Sequence, residues 1–211
     1  MSEPIIGINQ RIPLAALEVC FIAFLKGQYE PALAREQLQV SFSGENRLRK
    51  GTRQIGKMLS GSLLTPLLKD QAPALLNAVR SMPDRNLLLI SLLTAAYPFA
   101  FDTLRTYGKY FQVQSQVSNQ VIKKNLANKY GGHRATENAI SSINTMLVES
   151  KLISRVKPGL FEKEQPKMIR EVSRKVYNEA FLANIHQDSL SHANIRDPYF
   201  QFVVDSQLNY C

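Results

Sequence analysis

The chain has 211 residues, 45% of them hydrophobic, which is long enough to bury one sizeable core or two small ones that share it. Its formal net charge is +9, and its two cysteines, Cys20 and Cys211, stand far apart. This composition argues against a disulfide framework and for a reducing, cytoplasmic setting. The apolar runs at 14–25 and 87–96 are too short for the ~20 residues of a transmembrane helix, and we expect no secretory leader.

The positive charge is concentrated in the middle of the sequence. Residues 46–135 contain 14 basic and 3 acidic residues, whereas residues 1–45 contain 3 basic and 5 acidic ones, and residues 136–211 contain 9 of each. A basic block of this kind is typical of a surface that binds a polyanion. Exposed helices that carry charge only for solubility would give the same composition, so both interpretations stay open.

Apolar residues at helical spacing predict that residues 1–111 form a helical bundle. Proline, glycine and polar breaks divide it into helices over 12–26, 31–40, 46–60, 63–69, 73–80, 86–97 and 98–111. Gly27 is expected to end the first helix, and Asp84 to cap the helix that begins at Asn86. No segment before residue 150 alternates apolar and polar residues convincingly, so no strand is predicted there.

Residues 112–165 follow a different pattern. Residues 112–119 are predicted to form a polar linker, 121–130 a short helix that ends at Gly131-Gly132, and 136–150 a longer helix. Residues 152–156 resemble a strand, and Lys157-Pro158-Gly159-Leu160 fits a type II turn before a return strand that begins at Phe161. Taken with the helix at 98–111, this order predicts a winged helix-turn-helix with a short β-hairpin wing.

The predicted helix at 136–150 has an apolar stripe and a polar outer face. Residues that would approach DNA bases or phosphates from this face are Arg134, Asn138, Ser141, Ser142 and Thr145. Glu149 is expected to lie outside the DNA groove or to accept a hydrogen bond from a cytosine amino group. Arg155 and Lys157 of the hairpin are placed to contact flanking phosphates. The same pattern is also typical of a structural or protein-docking winged helix.

A second candidate surface lies on the helix predicted at 46–60. Its inner stripe consists of Leu48, Ile55 and Leu59, and four cations gather on the opposite face: Arg49, Lys50, Arg53 and Lys57. Like charges four residues apart weaken an isolated helix, so four of them without an acidic neighbour indicate an anionic partner. A solvated basic face is the alternative. Lys123, Lys124 and Lys129 would extend the same surface along a nucleic-acid backbone.

The order of segments resembles the BrxA family, the small accessory proteins of bacterial BREX phage-defence systems. The matching parts are the helix at 14–27, the basic Asn46-Arg-Leu-Arg-Lys50, the run at 87–99, and the helix that ends in Met146-Leu-Val-Glu-Ser-Lys-Leu-Ile153. The resemblance implies a helical bundle related to the NusB fold, a winged-helix part, and non-enzymatic binding of double-stranded DNA. It also implies partners: a BREX methyltransferase and an ATPase.

The remaining sequence offers no catalytic motif. His186 and His192 lack the spacing of a metal pair, and the basic block has too few acids for two-metal nuclease chemistry, so neither an enzyme, a metal nor a cofactor is predicted. Residues 166–211 are predicted to form a C-terminal unit, with a helix at 166–183 and a strand at 199–204. The strand would pack on the wing or core, or else join two chains as an oligomer. A protein-docking adaptor and an RNA-binding antitermination-type protein are the alternative functions.

Overall fold

The computed structural model describes residues 4–204. Seven helices make up the first part of the chain: Leu14–Leu25 (α1), Pro31–Gln39 (α2), Glu45–Leu59 (α3), Thr65–Asp70 (α4), Ala72–Ala78 (α5), Met82–Ala96 (α6) and Pro98–Phe111 (α7). They lie within a few residues of the predicted ones, because proline occupies the first turn of several and the apolar spacing continues through each. Cys20 is a buried free thiol, and Cys211 lies outside the described residues.

Helix α6 lies at the centre of the core, because apolar residues surround it on every side. Leu88, Ile90 and Leu92 are fully buried, and even Ser91 is closed off from solvent. Such a helix must be covered all round, which neighbouring helices accomplish here. The predicted cap at Asp84 is wrong, since α6 already begins at Met82. The buried carboxylate of Asp84 instead accepts a hydrogen bond from the backbone N–H of Arg170 at 2.8 Å.

The second part of the chain combines helices with a small antiparallel sheet. It runs Gln116–Ser118 (β1), Asn119–Tyr130 (α8), Arg134–Glu149 (α9), Ile153–Lys157 (β2) and Leu160–Lys163 (β3). The strand order is β1-β3-β2, so β3 is the central strand. Phe161 of β3 pairs with Val117 of β1 on one side and with Arg155 of β2 on the other. The prediction of a linker over 112–119 is therefore wrong for 116–118. Only Val117 points into the core there, which is too short a pattern to reveal a strand.

The turn between β2 and β3 contains Pro158 and Gly159. Gly159 has a φ of 76°, the conformation that the third position of a type II turn requires and that glycine adopts without strain. Its carbonyl accepts a hydrogen bond from the backbone N–H of Asn119 at 2.7 Å. The hairpin is thereby attached to the first residue of α8, whose N-terminus is capped by the hydroxyl of Ser118.

The C-terminal part differs most from expectation. Helix α10 covers Glu171–Ile185 rather than 166–183, a four-residue helix α11 follows at His192–Ile195, and Pro198–Phe202 forms a 3₁₀ helix where a strand was predicted. The apolar residues at 199–204 satisfy their burial without a sheet: Tyr199 is fully buried and stacks on Tyr177 at 4.3 Å between ring centroids. Val203 adds a single parallel bridge to Lys167.

The fold class predicted from the sequence is confirmed at the coarse level: the described residues are mainly helical, with one small antiparallel sheet. Buried residues from 8 to 202 belong to one continuous hydrophobic cluster. The predicted segments 1–111, 112–165 and 166–211 therefore all contribute to the same core. The polar surfaces of α3 and α9 are held in position by that core.

Candidate nucleic-acid interface

The basic face of α3 consists of Arg49, Lys50, Arg53 and Lys57. All four are exposed, whereas Leu48, Ile55 and Leu59 on the opposite side are buried. This separation follows directly from the amphipathic sequence, because the apolar residues recur at helical spacing and face α6 and the neighbouring helices. The charges consequently lie in solvent, where they can meet a ligand.

Most of the charge on this face is uncompensated within the protein. The guanidinium of Arg49 donates to Oδ1 of its neighbour Asn46 at 3.2 Å, and the ammonium of Lys57 lies 4.6 Å from the centre of the Tyr97 ring. Among residues 4–204, neither Lys50 nor Arg53 forms an ion pair. The nearby carboxylate of Glu45 is bound instead by Arg35 through two hydrogen bonds, which lower the pKa of that carboxyl group.

The four cations do not all face the same side. Arg49 and Arg53 line a groove between α2 and α3, whose volume is about 640 Å³ and whose lining includes Tyr29 and Pro31. Lys50 lines a different groove, between α3 and α9. The sequence groups these residues within about 100° of a helical wheel, but in the structure they border two different grooves.

The outer face of α9 carries the predicted polar residues. Asn138 and Ser141 are exposed, and Ser142 and Thr145 are half-buried. The hydroxyl of Ser142 donates to the carbonyl of Asn138 at 2.8 Å, and that of Thr145 to the carbonyl of Ser141 at 3.0 Å. These two hydroxyls therefore have no proton left for a ligand, although they can still accept a hydrogen bond. Arg134 is exposed at the start of the helix.

The N-terminus of α9 is fixed by local hydrogen bonds. Nδ1 of His133 accepts from the backbone N–H of Thr136 at 3.4 Å, and the Thr136 hydroxyl donates to the carbonyl of Gly131 at 2.7 Å. The inner side is apolar, with Ala139 and Ile140 fully buried. These contacts set the rotation of α9 and direct its polar side outward.

A groove of about 440 Å³ separates α9 from α3 and from the residues that precede α1. Its lining comprises Asn9, Gln10, Arg11, Arg47, Lys50, Asn138, Ser141, Ser142 and Thr145. The structure thus brings one residue of the basic face of α3 together with four predicted residues of α9. Both candidate surfaces contribute to this one feature.

Sequence reasoning missed Arg11 and Arg47, which add two cations to the groove. The guanidinium of Arg47 lies 4.5 Å from the centre of the Phe42 ring, and its carbonyl accepts from the side-chain amide of Gln10 at 2.9 Å. Arg47 could have been found from its place three residues before Lys50 on the same helix. No local signal marks Arg11, because it reaches the groove only through the tertiary fold.

Glu149 is bound within the protein at the end of this groove. One of its oxygens lies 2.6 Å from the guanidinium of Arg11, and the other accepts from the backbone N–H of Leu14 at 3.1 Å. Its carboxylate is therefore largely neutralised and tied to the start of α1. This contact gives Glu149 a structural role that neither sequence alternative included.

The predicted lysines of α8 differ in their surroundings. Lys123 pairs with Glu137 of α9 at 3.3 Å, and Lys129 pairs with Asp102 at 2.6 Å. Lys124 is exposed and forms no ion pair within the described part of the chain. Of these three residues, only Lys124 offers an uncompensated charge.

The hairpin contributes two exposed cations. The guanidinium of Arg155 lies 5.7 Å from the centre of the Phe161 ring, and Lys157 is exposed beside the turn. Neither lines the groove between α3 and α9. The structure therefore leaves them as separate charges on the sheet.

Comparisons with protein-family models, with curated proteins and with solved structures found no match. Over residues 4–204, no helix is long and apolar enough to span a bilayer. In the same range, His, Cys, Asp and Glu do not form a cluster of three or more that could hold a metal ion.

Proposed function

We propose that the protein is a non-enzymatic factor that binds duplex DNA, mainly through the phosphate backbone. The observation that carries this proposal is the uncompensated positive charge of Lys50 and Arg53 on α3, with Lys50 beside the polar groove that α9 also lines. Charge of this kind attracts a polyanion and releases its condensed counterions when it binds. Polar residues without a net charge, such as those of α9, add positioning rather than affinity.

The order α7, β1, α8, α9, β2 and β3 supports a winged helix-turn-helix as the finer description of the second part. In that arrangement, a strand between the first two helices pairs with the hairpin that follows the third, as β1 pairs with β3 here. The helix at the position of α9 is the one that contacts DNA in many such proteins. Because fold alone does not establish function, the proposal rests on the charges and not on this similarity.

The resemblance to the BrxA family extends the proposal to a cellular role. The protein would act in the cytoplasm as an accessory component of a BREX phage-defence system, alongside a methyltransferase and an ATPase. Co-purification of those two proteins with the tagged chain from its native host would support this role. Their consistent absence, together with binding of an unrelated complex, would favour the adaptor alternative.

The test of DNA binding is a titration followed by fluorescence anisotropy. The probes are a 24-base-pair duplex, its separate strands and a structured RNA, each at several salt concentrations. If the protein neutralises about five phosphates, affinity for the duplex should fall about 10²–10³-fold between about 50 and 200 mM salt. Preference for the RNA would favour the antitermination-type alternative, and no binding to any probe would refute the proposal.

The contribution of α3 is tested with a triple variant, Arg49→Ala, Arg53→Ala and Lys57→Ala. Its matched control removes three other exposed cations, namely Lys26, Lys69 and Arg80. Each lost phosphate contact should reduce the salt dependence by about one unit of slope. Full affinity in the triple variant would exclude Arg49, Arg53 and Lys57 as the main source of binding.

A further inference from the structure

The part of α9 between Asn138 and Thr145 forms one wall of a groove instead of a free ridge. Arg47 and Lys50 stand on the opposite wall, and the chain around Arg11 also lines the groove. The major groove of B-DNA is about 12 Å wide, which is about the diameter of one α-helix with its side chains. A phosphate strand needs less width than a whole duplex groove, so it suits this groove better than insertion of α9 alone would.

We infer that this groove instead receives one sugar–phosphate strand of the DNA, an inference that rests on the proposed function and specifies its geometry. Phosphate oxygens act only as hydrogen-bond acceptors, so the groove must supply donors. Lys50 and Arg47 provide charged donors on the α3 wall. The amide of Asn138 and the hydroxyl of Ser141 provide neutral ones on the α9 wall.

The hydrogen bonds and ion pairs that the residues around the groove already form within the protein agree with this division between a charged α3 wall and a neutral α9 wall. The hydroxyls of Ser142 and Thr145 already donate to carbonyls of their own helix, so they offer a phosphate nothing. Glu149, the carboxylate beside the groove, is paired with Arg11 and so repels an incoming phosphate less than a free carboxylate would. The cations of the α3 wall therefore bind the charged phosphates of the strand, while the neutral α9 wall packs against the same strand.

This geometry has a consequence for specificity. A strand seated in the groove presents its backbone to residues 138–145, and base edges in the major groove stay out of their reach. Binding through this groove is therefore tolerant of sequence. Of the predicted α9 contacts, Arg134 alone lies outside the groove lining.

The first test uses two duplexes of the same sequence, one with cytosine and one with glucosylated 5-hydroxymethylcytosine. The glucose fills the major groove and leaves the phosphates unchanged. The dissociation constant should differ by less than about twofold between the two duplexes, because the protein reads the backbone. A loss of about tenfold or more with the glucosylated duplex would overturn the inference and show insertion of α9.

The second test is the double variant Arg47→Gln and Lys50→Gln, which replaces both charges by neutral polar side chains. Its control, Lys69→Gln and Arg80→Gln, removes the same charge elsewhere. The groove variant should lower the slope of log affinity against log salt by about two, and the control should change it by less than one. Equal changes in both variants would overturn the inference.

Failure of DNA binding and failure of the groove geometry give different experimental results. If the wild-type protein does not bind either duplex, the proposed function is refuted. If it binds the unmodified duplex but the groove variant behaves like its control, DNA binding stands and only the groove geometry is wrong. Far-UV circular dichroism of each variant verifies that the helices are intact.

Discussion

Gly108 of α7 allows the C-terminal segment to pack directly on the helix backbone. A Cβ atom at this position would lie 1.9 Å from the carbonyl oxygen of Pro198 and 2.7 Å from its carbonyl carbon. Both are backbone atoms, so no side-chain rotation relieves the overlap. On helix propensity alone, Gly108→Ala would stabilise the protein by about 1 kcal/mol. The contact with Pro198 predicts the opposite result.

The magnitude follows from what the segment buries. The 3₁₀ helix Pro198–Phe202 places Tyr199 and Phe202 in the core, at 0% and 4% exposure. Complete loss of one buried aromatic ring costs about 3–5 kcal/mol, and a displaced segment would lose part of two such rings. After the propensity gain is subtracted, we expect Gly108→Ala to lower the free energy of unfolding by about 2–4 kcal/mol. That is a large share of the ~5–15 kcal/mol of a typical domain.

The assay is urea unfolding followed by circular dichroism, with Gly56→Ala as the matched control. Gly56 also lies inside a helix, but the nearest atom to its added Cβ would be the Tyr29 hydroxyl oxygen at an ordinary 3.7 Å. We therefore expect Gly56→Ala to raise the urea midpoint, because alanine increases the free energy of unfolding by up to about 1 kcal/mol. A Gly108→Ala variant as stable as the wild type would refute the packing argument.

Two further predictions concern charge and pH. Because Lys123 is paired with Glu137 and Lys124 is not, Lys124→Gln should weaken duplex binding more than Lys123→Gln, as measured by anisotropy at low salt. Burial raises the pKa of the Cys20 thiol from 9.0 to about 11, and burial likewise raises that of Tyr29 from 10.0 to about 12. In both groups the pKa is higher in the folded than in the unfolded protein, so the folded state favours the protonated form. The contribution to the free energy of unfolding is therefore complete below pH 9 and is lost as the pH rises towards 12. Urea midpoints should stay nearly constant from pH 8 to 9 and fall from pH 9 to 11, and a flat profile over the whole range would contradict this assignment.

The parts of the fold that the sequence predicts are those in which local patterns determine the structure. Helix α3 is an example: Leu48 and Ile55 at helical spacing define its inner side, and the basic face follows automatically. The hairpin is another, because Pro158-Gly159 encodes a specific turn. In each case the signal lies within about fifteen residues of the chain.

The parts that the sequence does not predict depend on distant contacts. The strand β1 exists because Val117 meets Phe161, which lies far along the chain. The segment at 199–204 has the composition of a strand, yet Tyr199 finds a ring partner in Tyr177 and a hydroxyl partner in Thr94, so it coils into a 3₁₀ helix. Local propensity was overruled in both places by packing.

The candidate site shows the same division. The polar side of α9 and the charge of α3 can be seen in the sequence, but their meeting across a groove cannot. Arg11 is the clearest case, since a single arginine before a helix carries no pattern. Its position follows from the ion pair with Glu149 and from the bond between Glu149 and Leu14.

That bond also affects how the molecule is made. Leu14 and Glu149 are separated by 135 positions, so the wall that contains Arg11 closes only when the beginning of the chain meets the end of α9. Closing a long loop is among the slower steps of folding, because its entropy is lost before any contact compensates for it. A partly synthesised or partly folded chain therefore has α3 and its charges without a complete groove. The groove can therefore be completed only after α9 has been synthesised and the residues before α1 have reached its end.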